Sequence, residues 1–232
     1  MTTPAREFLK GCRNALPVTL TFSVLFVVVG AHSQASGLDL AQGLALTALV
    51  FAAPAQMAAT DLIAQGAWLP ALLAIIVINF RFLLMSASIA PYLGKPGRGR
   101  LLASVQMLSA STFATSFIPL REGSLQYPLS YFLGVCAASF PTAVIATATG
   151  YLVQDAIPPW LQQTMTMVLP IYFVTFLARV WPRTRFLAAG VLGLVLTPVA
   201  NSLLPGFGLI VTALAVAALL MLLEPKACPK TI

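Results

Sequence analysis

The stretch Phe51–Pro91, FAAPAQMAATDLIAQGAWLPALLAIIVINFRFLLMSASIAP, decides how the chain is read. Pro54 interrupts one apolar segment in it, and Arg81 sits near the centre of the next, Trp68–Leu93. Proline removes a backbone donor and resists helix continuation. Arg81 lies about 18–20 Å from either end of its segment at the rise of an α-helix. A side chain reaching roughly 6–7 Å cannot carry its charge out to the surface from there. Left in lipid it would cost on the order of 3 kcal/mol or more. Arg81 must therefore face protein or water and have a partner. Asp61, the nearest acidic residue in sequence, is one candidate for an ion pair or a coupling role. A solute carboxylate, matched by the guanidinium fork, is the other.

The rest of the chain has the same character. Over 232 residues it is 59% hydrophobic and 8% charged, where an ordinary soluble domain carries roughly 25% charged residues. That leaves too little polar material for a solvated shell. Several apolar runs reach the roughly 20 residues needed to span a bilayer as a helix. They do not resemble the roughly 10-residue alternating strands of a membrane barrel. The fold class expected is all-α: one polytopic helical membrane domain over residues 1–232. The net charge of +7 is no nucleic-acid footprint, because the basic residues fall in short clusters between apolar runs, as in cytoplasmic loops. Cys12, Cys136 and Cys228 are scattered without ligand spacing, so neither a disulfide framework nor a metal site is expected. The chain has no HExxH, GxSxG or glycine phosphate loop and no paired intramembrane carboxylates, so enzyme chemistry and cofactors have no footing. His32, the one histidine, reads as a packing or boundary residue. Arg6, Lys10 and Arg13 ahead of Leu16–Gly30 imitate a signal peptide, but the segment reads as an uncleaved first span.

Topology follows from charge. If every apolar segment crosses once, the basic cluster at 95–100 falls on the side opposite the N-terminus, against the positive-inside tendency. If Leu40–Gln65 and Tyr127–Val153 each enter and leave on one side, the clusters at 6–13, 95–100, 179–185 and 226–230 all share a side. Halves such as Leu40–Ala53 and Pro54–Gln65 are about 18–21 Å long, too short to cross a core of about 30 Å. The reading is six full spans plus two broken, re-entrant segments, with N- and C-termini cytoplasmic. Seven or eight simple spans are the alternative. The two interrupted runs, at Pro54 and Pro141, are each followed by a Trp, a long span and a basic cluster. This order suggests an internal repeat, with halves 14–100 and 101–185 and two further spans over 186–223.

Proline is favoured at the start of a helix, and Ala53 and Phe140 are poor caps. Pro54 and Pro141 would then mark helix N-termini pointing at mid-membrane, where first-turn amides attract anions. A mere kink in a full span is the competing reading at each. Gln56 and Thr142 lie in the first turns after the prolines and are solute-contact candidates. So are Asn79 and Ser86, seven apart on one side of the Arg81 helix. Helix–helix hydrogen bonding is the plainer role for all four.

Phe51-Ala-Ala-Pro-Ala-Gln56 and Asn79-Phe-Arg81-Phe-Leu-Leu-Met-Ser86 resemble the AzlC family, the large subunits of branched-chain amino acid exporters. The family pattern resembles F-A-G-(small)-A-Q-F followed by N-(L/F)-R-H-x-L-M-(S/G). The resemblance implies an inner-membrane exporter of branched-chain or related hydrophobic amino acids, a small hydrophobic AzlD-like partner subunit and dependence on the proton-motive force. The chain departs from the pattern at Phe82, where His is usual, and at Ala110 and Ser111, where Asp-Glu is common. It also lacks an acidic residue ahead of Pro170. These losses remove titratable groups that proton coupling would use. Two rival readings stand beside export: a channel-like pore for a small neutral or anionic solute, and a membrane assembly subunit that transports nothing.

Overall fold

The computed structural model describes residues 3–94, 97–168, 170, 171, 174, 184–204 and 207–222. Among these the chain is helical throughout, with no strand. An amphipathic helix α1 (Pro4–Asn14) leads into α2 (Leu16–Ala35). Then come α3 (Leu40–Val50), α4 (Ala53–Ala64) and α5 (Trp68–Ile89), which ends in a 3₁₀ turn over Ala90–Leu93. They are followed by α6 (Arg98–Gln106), α7 (Ala110–Arg121) and α8 (Pro128–Val153). Helices α9 (Pro159–Thr166), α10 (Thr184–Leu203) and α11 (Gly208–Leu222) complete the described chain. Among the described residues, three helical segments are long and apolar enough to cross a membrane: Leu16–Ala35, Trp68–Leu93 and Pro128–Ala156.

Helices α1 and α2 pack in sequence along α8, running the same way. Glycines make the close approach possible. A methyl group at Gly30 would strike the Thr147 carbonyl oxygen, and one at Gly150 the Val27 carbonyl oxygen. Gly11 and Tyr131, and Gly134 and Phe8, repeat the arrangement near the start of both elements. Small residues that let backbones touch are the usual device for joining helices in lipid, where apolar side chains gain nothing by leaving a hydrocarbon solvent. Asn14 Nδ2 donates to Tyr131 Oη at 2.9 Å at this end of the seam. Tyr151 Oη donates to Leu38 O at 2.9 Å at the other.

Helices α3 and α4 form a hairpin that enters and leaves at the His32 end of α2. Asp39 caps α3 with a capping box just beyond that end. The outgoing helix returns there, since His32 Nε2 lies 2.8 Å from Asp61 Oδ1. The turn between them lies deeper, where Phe51 packs on Phe22, Phe26 and Phe140 with ring centroids 5.7, 5.9 and 5.0 Å away. Phe51 ends α3 in the left-handed region, φ 45°, a cap that usually falls to glycine. Such a conformation costs about 1–3 kcal/mol, and the buried aromatic cluster holds it.

Helix α5 carries the chain to the opposite end, and a second hairpin enters from there. Ile89 and Leu93 share a buried cluster with Ala15, Leu120, Leu125 and Tyr131. Tyr92 meets Phe117 of α7 edge to face, ring centroids 6.1 Å apart. The chain thus runs span, hairpin, span, hairpin, span, with the second hairpin inverted relative to the first.

Two expectations are corrected. Helix α8 is continuous through Pro141, so Tyr127–Val153 is a full-length helix and no re-entrant segment. Glycine contacts hold the flank before the proline against α1, at Gly134 and Phe8, and the flank after it against α2, at Gly150 and Val27. Conversely, Leu101–Leu120 is no single span, because it breaks between Gln106 and Ala110. Ser109 makes the break stable through a capping box: its hydroxyl accepts from the Thr112 amide and the Thr112 hydroxyl accepts from the Ser109 amide. Arg179 and Arg183 of the cluster at 179–185, the cluster at 226–230 and much of the expected span Trp160–Ala178 lie outside the described residues. Because α8 needs no break, Pro141→Ala is expected to leave the melting temperature of the purified protein unchanged or a few degrees higher. A loss of folded protein in a fluorescence-detected melt would show that the proline shapes the helix.

Candidate functional site

The two hairpin tips meet at mid-depth around a cavity of about 50 Å³. One wall is the start of α4, Ala52–Ala53–Pro54, and another the start of α7, Ser109–Ala110–Ser111. Arg81 and Phe82 of α5 form the third, and Phe22, Leu25, Phe26 and Phe51 supply the apolar remainder. A cavity of this size holds a few waters and is well below the roughly 300–1,000 Å³ of a pocket for a bound organic ligand. The space between the tips is therefore too small for such a ligand, and a larger guest requires the tips to separate.

Each wall is electropositive for a reason that starts in the sequence. Helix α4 begins at an extended Ala52 that offers no side-chain cap. Helix geometry leaves the Ala53 and Ala55 amides without intrahelical acceptors, and Pro54 has no N–H to place there. Helix α7 enters from the opposite side. Its capping box occupies the Thr112 amide, one turn inside the end that lines the cavity. The two ends contribute the positive poles of both helix dipoles to one place. Arg81 adds a permanent charge, with its Cζ 5.0 Å from the centre of the Phe82 ring. Its Nε is out of contact with solvent.

The tips are also tied to each other. Gln106, the last residue of α6, donates through Nε2 to Leu49 O at 2.7 Å and Ala48 O at 3.2 Å. These are terminal carbonyls of α3, which helix geometry otherwise leaves open. The first hairpin is thus capped by the second. Gln106→Leu removes both bonds. Because Gln106 is exposed, the change is expected to lower stability by only about 0.5–1.5 kcal/mol, read as a fall in the melting temperature of the purified protein.

The residues singled out from sequence divide. Pro54 and Arg81 line the cavity. Pro141 and Thr142 do not. Pro141 is interior to α8, and the Thr142 hydroxyl donates back to Ala138 O at 2.7 Å. Ser86 likewise donates to Phe82 O at 2.6 Å within its own helix. Asn79 lies outside the lining, with Oδ1 buried and unbonded among the described residues. Gln56 is wholly buried behind the tip, where its Oε1 accepts from Thr47 at 2.9 Å and Thr47 lies 2.9 Å from Thr147. Asp61 pairs with His32 at the far end of α4, so proximity in sequence misplaced it as a partner for Arg81. Sequence reasoning missed Ser109, Gln106, Phe22 and Phe26. The Ser109-x-x-Thr112 spacing inside a Ser/Thr-rich apolar run was the available signal for the second break.

The family model described as AzlC protein matches residues 17–157. That span covers α2 to α8, both hairpins and every residue of the cavity, and more than half of the chain. The chain belongs to the AzlC family. No curated protein and no solved structure matches it. AzlC membership and the apolar helices together make this a membrane protein with a transport-associated role. Three of the positions at which this AzlC protein departs from the pattern, Phe82, Ala110 and Ser111, line the cavity.

Proposed function

We propose that the protein is a secondary transporter that exports small carboxylate solutes with apolar side chains. The branched-chain and related hydrophobic amino acids implied by the family are members of that class. One observation carries the reading: a fixed cation and two helix N-termini, arriving from opposite faces, line one apolar-walled cavity at mid-depth. Opposed half-helices around a central site are a recurrent way to bind a charged guest and expose it alternately to either side. In this reading the guanidinium and the amides of Ala53 and Ala55 hold the carboxylate, and the phenyl groups receive the side chain. Separation of one hairpin tip or the other opens the path.

The charge distribution supports an inner-membrane orientation with the N-terminus cytoplasmic. Arg6, Lys10, Arg13, Arg98, Arg100 and Arg121 gather at the end where α1 lies, whereas among the described residues the loops 36–39, 65–67 and 154–158 at the His32 end hold no Lys or Arg. Basic loops are retained on the cytoplasmic side. A small hydrophobic AzlD-like subunit is the partner proposed. The test is solute movement in proteoliposomes, with leucine and its 2-oxo analogue in separate preparations. The reading expects accumulation against a gradient that an uncoupler abolishes. Flux that stops at equilibrium and ignores the uncoupler would make the protein a pore instead, and no flux with or without the partner would make it an assembly subunit.

A further inference from the structure

We propose that a second, larger cavity at the His32 end of α4 is a further solute station, which holds the ammonium group of a hydrophobic amino acid beside Asp61 as the solute leaves. The inference deepens the reading above and rests on it for the direction of travel.

This cavity has a volume of about 930 Å³, the size of a pocket for a small organic ligand, roughly 300–1,000 Å³. Asp61 and Gln65 of α4, Ala74 of α5, Gly193 and Asn201 of α10 and Ile210 of α11 line it. The remaining lining is aliphatic, glycine, threonine or proline. Its place relative to the first cavity is fixed twice over. Pro54 of the first and Asp61 of the second are seven residues apart on α4, about 10 Å at the rise of an α-helix. Arg81 of the first and Ala74 of the second are seven apart on α5, the same offset. Only the short loop 65–67 joins these two helices, and they pack side by side. The cavities therefore follow one another along one helix pair toward the His32 face.

Asp61 decides what the second cavity takes. Among the described lining residues it is the one acid, and none is Lys or Arg. Its Oδ1 lies 2.8 Å from His32 Nε2. An ionised carboxylate only accepts hydrogen bonds and has room for several, so this contact leaves capacity for an ammonium group. The other acids at this end are engaged elsewhere. Asp39 caps α3 through the Gln42 amide, and Asp155 accepts from Gln34 Nε2 at 2.8 Å. The Asp61 side chain is more than half exposed, so a solute can reach it. A small cation with an apolar tail fits this arrangement, its charge on Asp61 and its alkyl groups on Ala74 and Ile210. A hydrophobic amino acid then meets two stations in turn, held first by its carboxylate and then by its ammonium.

The test is binding of radiolabelled 3-methylbutylamine, which keeps the tail and ammonium of leucine and lacks the carboxylate. The purified full-length chain is used in phosphatidylglycerol nanodiscs at about pH 8, where an ordinary imidazole is neutral. Saturable binding is expected, with competition from leucine and none from 4-methylpentanoate. Asp61→Asn is expected to weaken it about fivefold or more. Gly193→Leu fills the cavity from the facing helix, where an added side chain meets open space. It is expected to weaken binding as much without unfolding the protein, and it decides the matter if Asp61→Asn does not fold. Amine binding that is absent from the unaltered chain, or untouched by the variants, would overturn the second station. Leucine binding that Arg81→Gln still weakens would in that case leave the first cavity as the solute site, so the two readings fail separately. Amine binding abolished by phosphatidylethanolamine in the nanodisc would give the cavity to a lipid headgroup and overturn it as a solute station.

Discussion

Arg81→Gln is expected to leave the protein inserted and folded while reducing carboxylate efflux by at least about tenfold, approaching a hundredfold. The magnitude follows from the interaction removed. A hydrogen bond to a charged group contributes about 1.5–3 kcal/mol, and each 1.4 kcal/mol is about tenfold in affinity. Glutamine keeps the polarity and much of the length but loses the charge and the fork. Folding does not need that charge, because a cation at mid-depth costs on the order of 3 kcal/mol. The melting temperature is therefore expected to stay level or rise, as happens when a site selected for function is neutralised. Arg81→Lys separates the two contributions, since lysine retains the charge without the bidentate geometry. Its efflux is expected to fall between the other two. The measurement is initial-rate efflux from loaded proteoliposomes alongside a detergent melt. Unchanged efflux in Arg81→Gln would remove the guanidinium from the mechanism.

Gly30→Leu should do the reverse and destroy the fold before function can be assayed. The position faces the Thr147 carbonyl oxygen so closely that even a methyl group has no room, and the obstacle is backbone, which cannot rotate away. The counterpart at Gly150 faces Val27 in the same manner. Forcing a side chain into this seam separates α2 from α8 and takes Phe22 and Phe26 away from the hairpin tip. The expected cost exceeds the roughly 4–5 kcal/mol that marks an exceptional substitution. Little monodisperse protein is then expected by fluorescence-detected size exclusion. Gly193→Ala serves as control, since nothing lies within 4 Å of a methyl group there. In a helix interior it is expected to be neutral or stabilising by about 0.5–1 kcal/mol. Equal behaviour of the two variants would show that the close approach is not needed.

The sequence disclosed the first half of this site better than the second, for a physical reason. Pro54 is a covalent signal, because it withdraws a donor whatever surrounds it. Together with the long apolar runs and a charge at position 81, it makes the first hairpin and the mid-depth cation legible. The second tip has no proline. It forms because Ser109 and Thr112 cap one another and because α7 has room beside α5 to turn back, which is a tertiary condition. Pro141 is the converse case, since its local propensity to break a helix is overridden by the packing of α8 on α1 and α2. Asp61 illustrates a third limit. It is closer in sequence to Arg81 than any other acid, yet α4 points it away from the cavity to His32, 29 residues earlier.

The opposed hairpins are most directly tested by which side of the membrane their loops face. In a chain whose own cysteines have been replaced, single cysteines at Gly37, Gly66, Gly97 and Gly123 would be labelled with a membrane-impermeant maleimide in oriented vesicles. Positions 37 and 66 are expected to react from one side and 97 and 123 from the other. Labelling of 37 and 66 from opposite sides, or of 97 and 123 from opposite sides, would turn a hairpin into a crossing and contradict the structure on which the site depends.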